Sequence, residues 1–155
     1  MCGITSDHVD RRSSIVGVDW GRACRHGERV RDHTKLRVWQ KGCDLVVGIY
    51  EVSGELPSSE KYGLSSQMQR AAVSIPSNIA EGASRRSKAD FVRFLDYAAG
   101  STGELDTQLH LSTRLGLVPP ERVHPLHSEI ASLRRMLGGL IRSATNDRPP
   151  KTIDD

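Results

Sequence analysis

Three groups of residues in this chain have the types and spacing to do chemistry. In the first, Arg70, Ser74, Asn78 and Glu81 recur at intervals of 4, 4 and 3, and Ser101, Glu104 and Gln108 at intervals of 3 and 4. Residues three or four apart share a helix face, so each set forms a stripe. If the two helices are antiparallel neighbours, the stripes face each other and Arg70 meets a carboxylate. The functional reading is a polar site for a ligand or a partner. The competing reading is a hydrogen-bonded network that fixes helix register or a subunit contact, because buried polar groups must be paired. With no poised nucleophile and base among the residues, the network is favoured. The second group is Arg85, Arg86 and Lys88, with Arg93 further along. Such cations suit phosphate contacts, which add a salt-dependent attraction indifferent to base sequence. No aromatic residue interleaves with them, so single-strand base stacking has no support at this level. A solvated charged turn explains the same four residues slightly better.

The third group is Arg122-Val-His-Pro-Leu-His127, which has the R-x4-H form of helical HEPN-type ribonucleases. With 17 Arg and 6 His in 155 residues, roughly 0.7 such pairs arise by chance. Pro125 also disturbs the helix that would have to orient Arg122 and His127. His124 and His127 bring no further metal ligand with them. The sequence contains no G-x-S-x-G, Walker loop, H-E-x-x-H or G-x-G-x-x-G. The expectation is a chain that is not an enzyme and has no cofactor and no metal.

Composition sets the frame for these groups. Hydrophobic residues make up 37% and charged residues 26%, as in a globular protein, while aromatics are only 5%. Aliphatic residues with much Ala and Ser suit helix-on-helix packing. The net charge is +3 with a pI near 8.9, well short of a dedicated nucleic-acid binder. Residues 35–145 carry fourteen basic and eleven acidic residues, so the net charge sits in that stretch, where an oligomer would multiply it. Cys2, Cys24 and Cys43 are an odd number without C-x-x-C spacing, and reduced thiols are the plain reading. No apolar run is long enough for a membrane span, and the first thirty residues are charged throughout, unlike a signal peptide. A cytoplasmic location is the expectation.

The elements that position the groups follow from apolar periodicity. Residues 1–34 show neither helical spacing nor clean alternation and read as a poorly ordered extension, with Val16, Val18 and Trp20 as a hint of a strand. A mis-assigned start is the alternative, although no second Met occurs before Met68. The first helix is expected from Leu36 to Glu51. Leu36, Trp39, Cys43, Val46 and Tyr50 form one seam, and Val38, Leu45, Ile49 and Val52 form a second beside it. Two seams require two neighbours. The second helix is expected from Ser65 or Ser66, with Ser66 and Gln69 as a capping box, through a kink at Pro76 to Gly82. The third opens at Ser87, capped with Asp90, and runs to Leu115 on Phe91, Leu95, Ala98, Thr102, Leu105 and Leu109. Gly100 and Gly103 in its middle imply the close approach of a neighbouring helix. The fourth starts at Pro119-Pro120 and carries Val123, Leu126, Ile130, Leu133, Leu137 and Leu140. Short loops make neighbours antiparallel. The fold class is thus all-α, an antiparallel up-and-down four-helix bundle over residues 35–145, followed by a disordered tail over residues 146–155.

The stretch Leu36 to Leu117 resembles a known four-helix-bundle family, named after proteins encoded in intervening sequences of bacterial 23S ribosomal RNA. The segments that carry the resemblance are "LRVWQKGCDLVVGIYEV", "QMQRAAVSIPSNIAEG", "GSTGELDTQL" and "LSTRLGLV". The seven residues of the two polar stripes fall on the family's motif. The same family includes the accessory variability protein of diversity-generating retroelements. The resemblance implies assembly into a homopentamer with a central channel and a basic outer surface. It also implies that the chain binds nucleic acid (RNA or DNA) or a protein partner such as a reverse transcriptase, without catalysis of its own. A purely protein-binding scaffold is the alternative, and a ribonuclease using Arg122 and His127 a distant third.

Overall fold

In the computed structural model, which describes residues 31–145, the alternation of apolar residues by three and four becomes four helices. They are α1 (Arg37–Gly54), α2 (Leu64–Ser84), α3 (Lys88–Arg114) and α4 (Pro120–Thr145), with short 3-10 turns at His33–Lys35 and Ser58–Glu60. The described residues contain no strand. The expected strand near Val16, the rest of the N-terminal extension through Val30, and the 146–155 tail lie outside the described residues. Arg31 to Thr34, which the sequence reading gave to that extension, are fastened to the bundle. The Arg31 N–H donates to the Ala83 carbonyl at 3.0 Å, and the His33 ring packs edge-on against Trp39.

Each helix packs on two neighbours in the cyclic order α1, α2, α3, α4, and connected helices run antiparallel. The core is the set of seams read from the sequence. Val38, Leu45, Ile49 and Val52 of α1 are buried, as are Met68, Ile75 and Ile79 of α2, Phe91, Leu95, Leu105 and Leu109 of α3, and Val123 through Leu140 at every seam position of α4. Full burial of such a side chain contributes about 1.5–3 kcal/mol. The other α1 seam behaves differently. Leu36 is buried, but Trp39, Cys43 and Val46 are half-buried and Tyr50 is exposed. Burial, followed by the neighbouring Asp44 charge, pushes the Cys43 thiol above its ordinary pKa.

Helix ends follow local chemistry. At the start of α3 the Ser87 hydroxyl accepts from the Asp90 N–H at 3.0 Å and donates to the Asp90 carboxylate at 2.7 Å. At its end Gly116 takes φ 68°, and the Leu117 N–H turns back to the Ser112 carbonyl at 2.9 Å, closing a Schellman motif. The expected Ser66–Gln69 box at the start of α2 is corrected by the structure. The Glu60 carboxylate, delivered by the preceding 3-10 turn, accepts from the Leu64 N–H at 3.0 Å, while Gln69 Nε2 donates to the Ser53 hydroxyl of α1 at 2.9 Å. Helices α2 and α4 run on through Pro76 and Pro125.

The expected close approach at Gly100 and Gly103 is corrected as well, because a Cβ at either position would meet nothing within 4 Å. Close packing falls instead at Gly82, where a Cβ would stand 2.8 Å from that of Phe94 and 3.3 Å from the Phe91 carbonyl oxygen. This contact brings the end of α2 against the start of α3.

Candidate nucleic-acid interface and polar groove

The two polar stripes touch at one point. The Ser74 hydroxyl of α2 donates to the Ser101 hydroxyl of α3 at 2.6 Å, and Ser101 Oγ donates to the Tyr97 carbonyl at 3.0 Å. Around this contact the stripes sort themselves within their own helices. Asn78 Nδ2 donates to the Ser74 carbonyl at 2.8 Å, and Gln108 Nε2 donates to the Glu104 carboxylate at 3.0 Å. Glu81 turns to Arg85. Arg70 is exposed, and among the described residues no carboxylate pairs with it, contrary to the expected ion pair. Gln108 is only 8% exposed, and its Oε1 accepts no hydrogen bond. Arg70, Ser74 and Glu104 line an open groove of about 530 Å³ together with Tyr50, Gln69 and Val73. The groove holds both charges and hydroxyls but no base positioned against a nucleophile.

The basic group occupies the turn from α2 to α3 and the first turns of α3. Two of its guanidinium groups are paired. Arg85 pairs with Glu81 one turn back, and Arg93 pairs with Asp90 at 2.8 Å. Both also lie over one ring, with the Arg85 guanidinium 5.0 Å and that of Arg93 5.9 Å from the Phe94 centroid. The Tyr97 ring stands edge-on to Phe94, with centroids 5.6 Å apart. Arg86 is exposed and Lys88 half-buried. The sequence reading of a cluster without aromatics is therefore corrected. Phe94 and Tyr97 belong to the cluster because Phe94 packs on Gly82 and receives Arg85 from across the turn. The available signal was helical: Tyr97 follows Arg93 by one turn.

The third group is pulled apart. Arg122 reaches α1, where its Nε donates to the Glu55 carboxylate at 3.1 Å, and this pairing holds the Glu55 carboxyl below its ordinary pKa. His127 turns to α3, where Nδ1 donates to Asp106 at 2.6 Å. The two side chains thus engage helices on different sides of α4. His124 is exposed, and the described residues contain no group of three or more His, Cys, Asp and Glu arranged for a metal. No helix of the described residues is long and apolar enough to cross a membrane.

Architecture and surface together define an all-α, antiparallel four-helix bundle with a cationic turn at one end. The family model of the 23S rRNA-intervening sequence proteins matches residues 34–139, and the chain belongs to that family. Among solved structures it is similar to a protein of unknown function from the S23 ribosomal protein family of Bacteroides thetaiotaomicron VPI-5482. The two share 25% identity with a TM-score of 0.64, over 68% of this chain and 98% of the other. No curated protein matches.

Proposed function

We propose that this chain is a non-catalytic, self-assembling binding module whose basic turn contacts the phosphate backbone of RNA or DNA. One observation carries the reading: Arg85, Arg86, Lys88 and Arg93 are gathered within three turns at one end of the bundle, with Arg85 and Arg93 held over Phe94 by Glu81 and Asp90. Guanidinium groups held in this way lose little further freedom on meeting a phosphate. The net charge of +3 is modest, so one copy binds weakly and several copies on one strand combine by avidity. Self-assembly draws support from the unpartnered apolar residues along α1 and α2, and the pentamer implied by the sequence resemblance is the expected state.

The test is electrophoretic mobility shift with RNA and DNA at low and high salt. Binding at low salt that fades as salt rises is the expected result, because each phosphate contact releases counterions. No shift at low salt would remove nucleic acid from the reading. A second reading, a protein-binding scaffold for a partner such as a reverse transcriptase, is favoured by the exposed Val47, Tyr50 and Val73. It predicts a protein that co-purifies after nuclease treatment.

A further inference from the structure

The chemistry of the α2–α3 turn goes beyond attraction to phosphates. Glu81, Asp90 and Asp96 lie among its four cations, so long-range electrostatic attraction to a strand is weak and affinity must come from contact. The structure supplies a contact surface. Phe94 is seated against Gly82 and flanked by the Arg85 and Arg93 guanidinium groups. Beside it Tyr97 is 53% exposed. The edge-on contact with Phe94 restricts the ring while leaving it open to solvent. A flat ring held beside planar guanidinium groups matches an unpaired nucleotide, whose base has a π-face and whose phosphate takes charged donors. Duplex bases are already stacked and offer no such face.

The geometry points to single-stranded nucleic acid as the ligand of this turn, with an unpaired base stacked on Tyr97 and its neighbouring phosphates on Arg85 and Arg93. This rests on the reading of the turn as a nucleic-acid surface and narrows it to a strand class. Because every base has a stacking face, little base preference is expected. Asp90 and Glu81 act as positioning residues, fixing where the two guanidinium groups point.

The experiment is fluorescence anisotropy with fluorescein-labelled 20-nucleotide oligo-dT and oligo-U, and with a duplex of the same length. It compares the full chain with Tyr97→Ala, Tyr97→Phe and Arg85→Ala. Circular dichroism and light scattering are run on each variant. Tyr97→Ala should weaken single-strand binding about tenfold and barely change duplex binding, while Tyr97→Phe keeps it. Arg85→Ala should weaken both. A 5-iodouracil oligonucleotide should crosslink to the peptide that carries Tyr97. If both strand forms bind equally and Tyr97→Ala changes neither, the stacking inference fails while the phosphate reading stands. If wild type binds neither form at low salt, both fail. A loss of oligomeric mass in Tyr97→Ala would make the ring a subunit contact and overturn the inference. So would displacement of the strand by poly-glutamate with no crosslink to Tyr97, because the turn would then be reading charge alone.

Discussion

Arg122 and Glu55 show how a single ion pair couples two helices that are distant in sequence. The pair ties the start of α4 to the end of α1, and both side chains remain close to half exposed. Arg122, its hydrogen-bond partner, lowers the Glu55 pKa from its ordinary 4.5, and the same contact raises that of Arg122 above its already high ordinary value. Because the Glu55 value is depressed in the folded state, its contribution to stability is present above the unfolded pKa. It is lost as pH falls through the folded one. The Arg122 contribution is lost only at strongly alkaline pH, outside the working range. Wild type should therefore melt slightly above Glu55→Gln at neutral pH, and the gap should close as pH drops below 4.5. Thermal denaturation by circular dichroism at a series of pH values measures it. A gap that survives acid would mean that the pair is not its source. The same arginine shows why R-x4-H is a poor guide here: five residues along a helix is well over one turn, so the two ends of the motif point toward different neighbours.

At the scale of the helices, glycines separate two kinds of packing. Gly82 lies where α2 and α3 nearly touch, and a methyl group there would overlap Phe94. Gly100 and Gly103 face open space in the single chain. Gly82→Ala should destabilise by about 1–3 kcal/mol through overpacking, whereas Gly100→Ala should stabilise by about 1 kcal/mol through helix propensity. Urea midpoints for the two variants check this. A Gly100→Ala chain that is less stable, or smaller in solution, would show that another surface covers α3 there.

What the residues made legible at this scale follows from periodicity. Apolar spacing located four helices and nearly every core position. The Ser87 cap and the Gly116 stop could be read because both are local motifs. The Glu60 cap on Leu64 could not, because the preceding 3-10 turn carries the carboxylate in from outside the helix. The Phe94–Tyr97 pair could be read too, as residues three apart on one helix, but the Arg85 guanidinium over Phe94 could not, because it crosses an interhelical turn. The serine contact between the stripes was foreseeable from antiparallel neighbours. The missing partner for Arg70 was not, because long exposed side chains obey no spacing rule.

For the molecule as a whole, the unburied part of the α1 seam is the unresolved surface. Tyr50 is 49% exposed and Val73 40%, lining one groove between α1 and α2, and Val47 of α1 is 60% exposed. Trp39, Cys43 and Val46 continue it beside Pro76. Contiguous apolar surface of this kind marks an interaction site more often than a free face. Light scattering of wild type should give a mass near five times 17.1 kDa. The double variant Tyr50→Glu, Val73→Glu should fall toward one copy while keeping its helical signal. A wild-type monomer would dismiss self-assembly, and an unchanged mass in the double variant would place the contact elsewhere.

Where the chain enters and leaves the bundle has a practical consequence. Arg31 is bonded to Ala83 just ahead of the basic turn, and Ala144 and Thr145 border Lys88 and Arg93. A purification handle or a fluorescent fusion placed directly at either end of residues 31–145 would be delivered beside the basic turn, where a histidine tag would compete with the proposed ligand. The loops after α1 and α3, at the other pole, are where a reporter belongs.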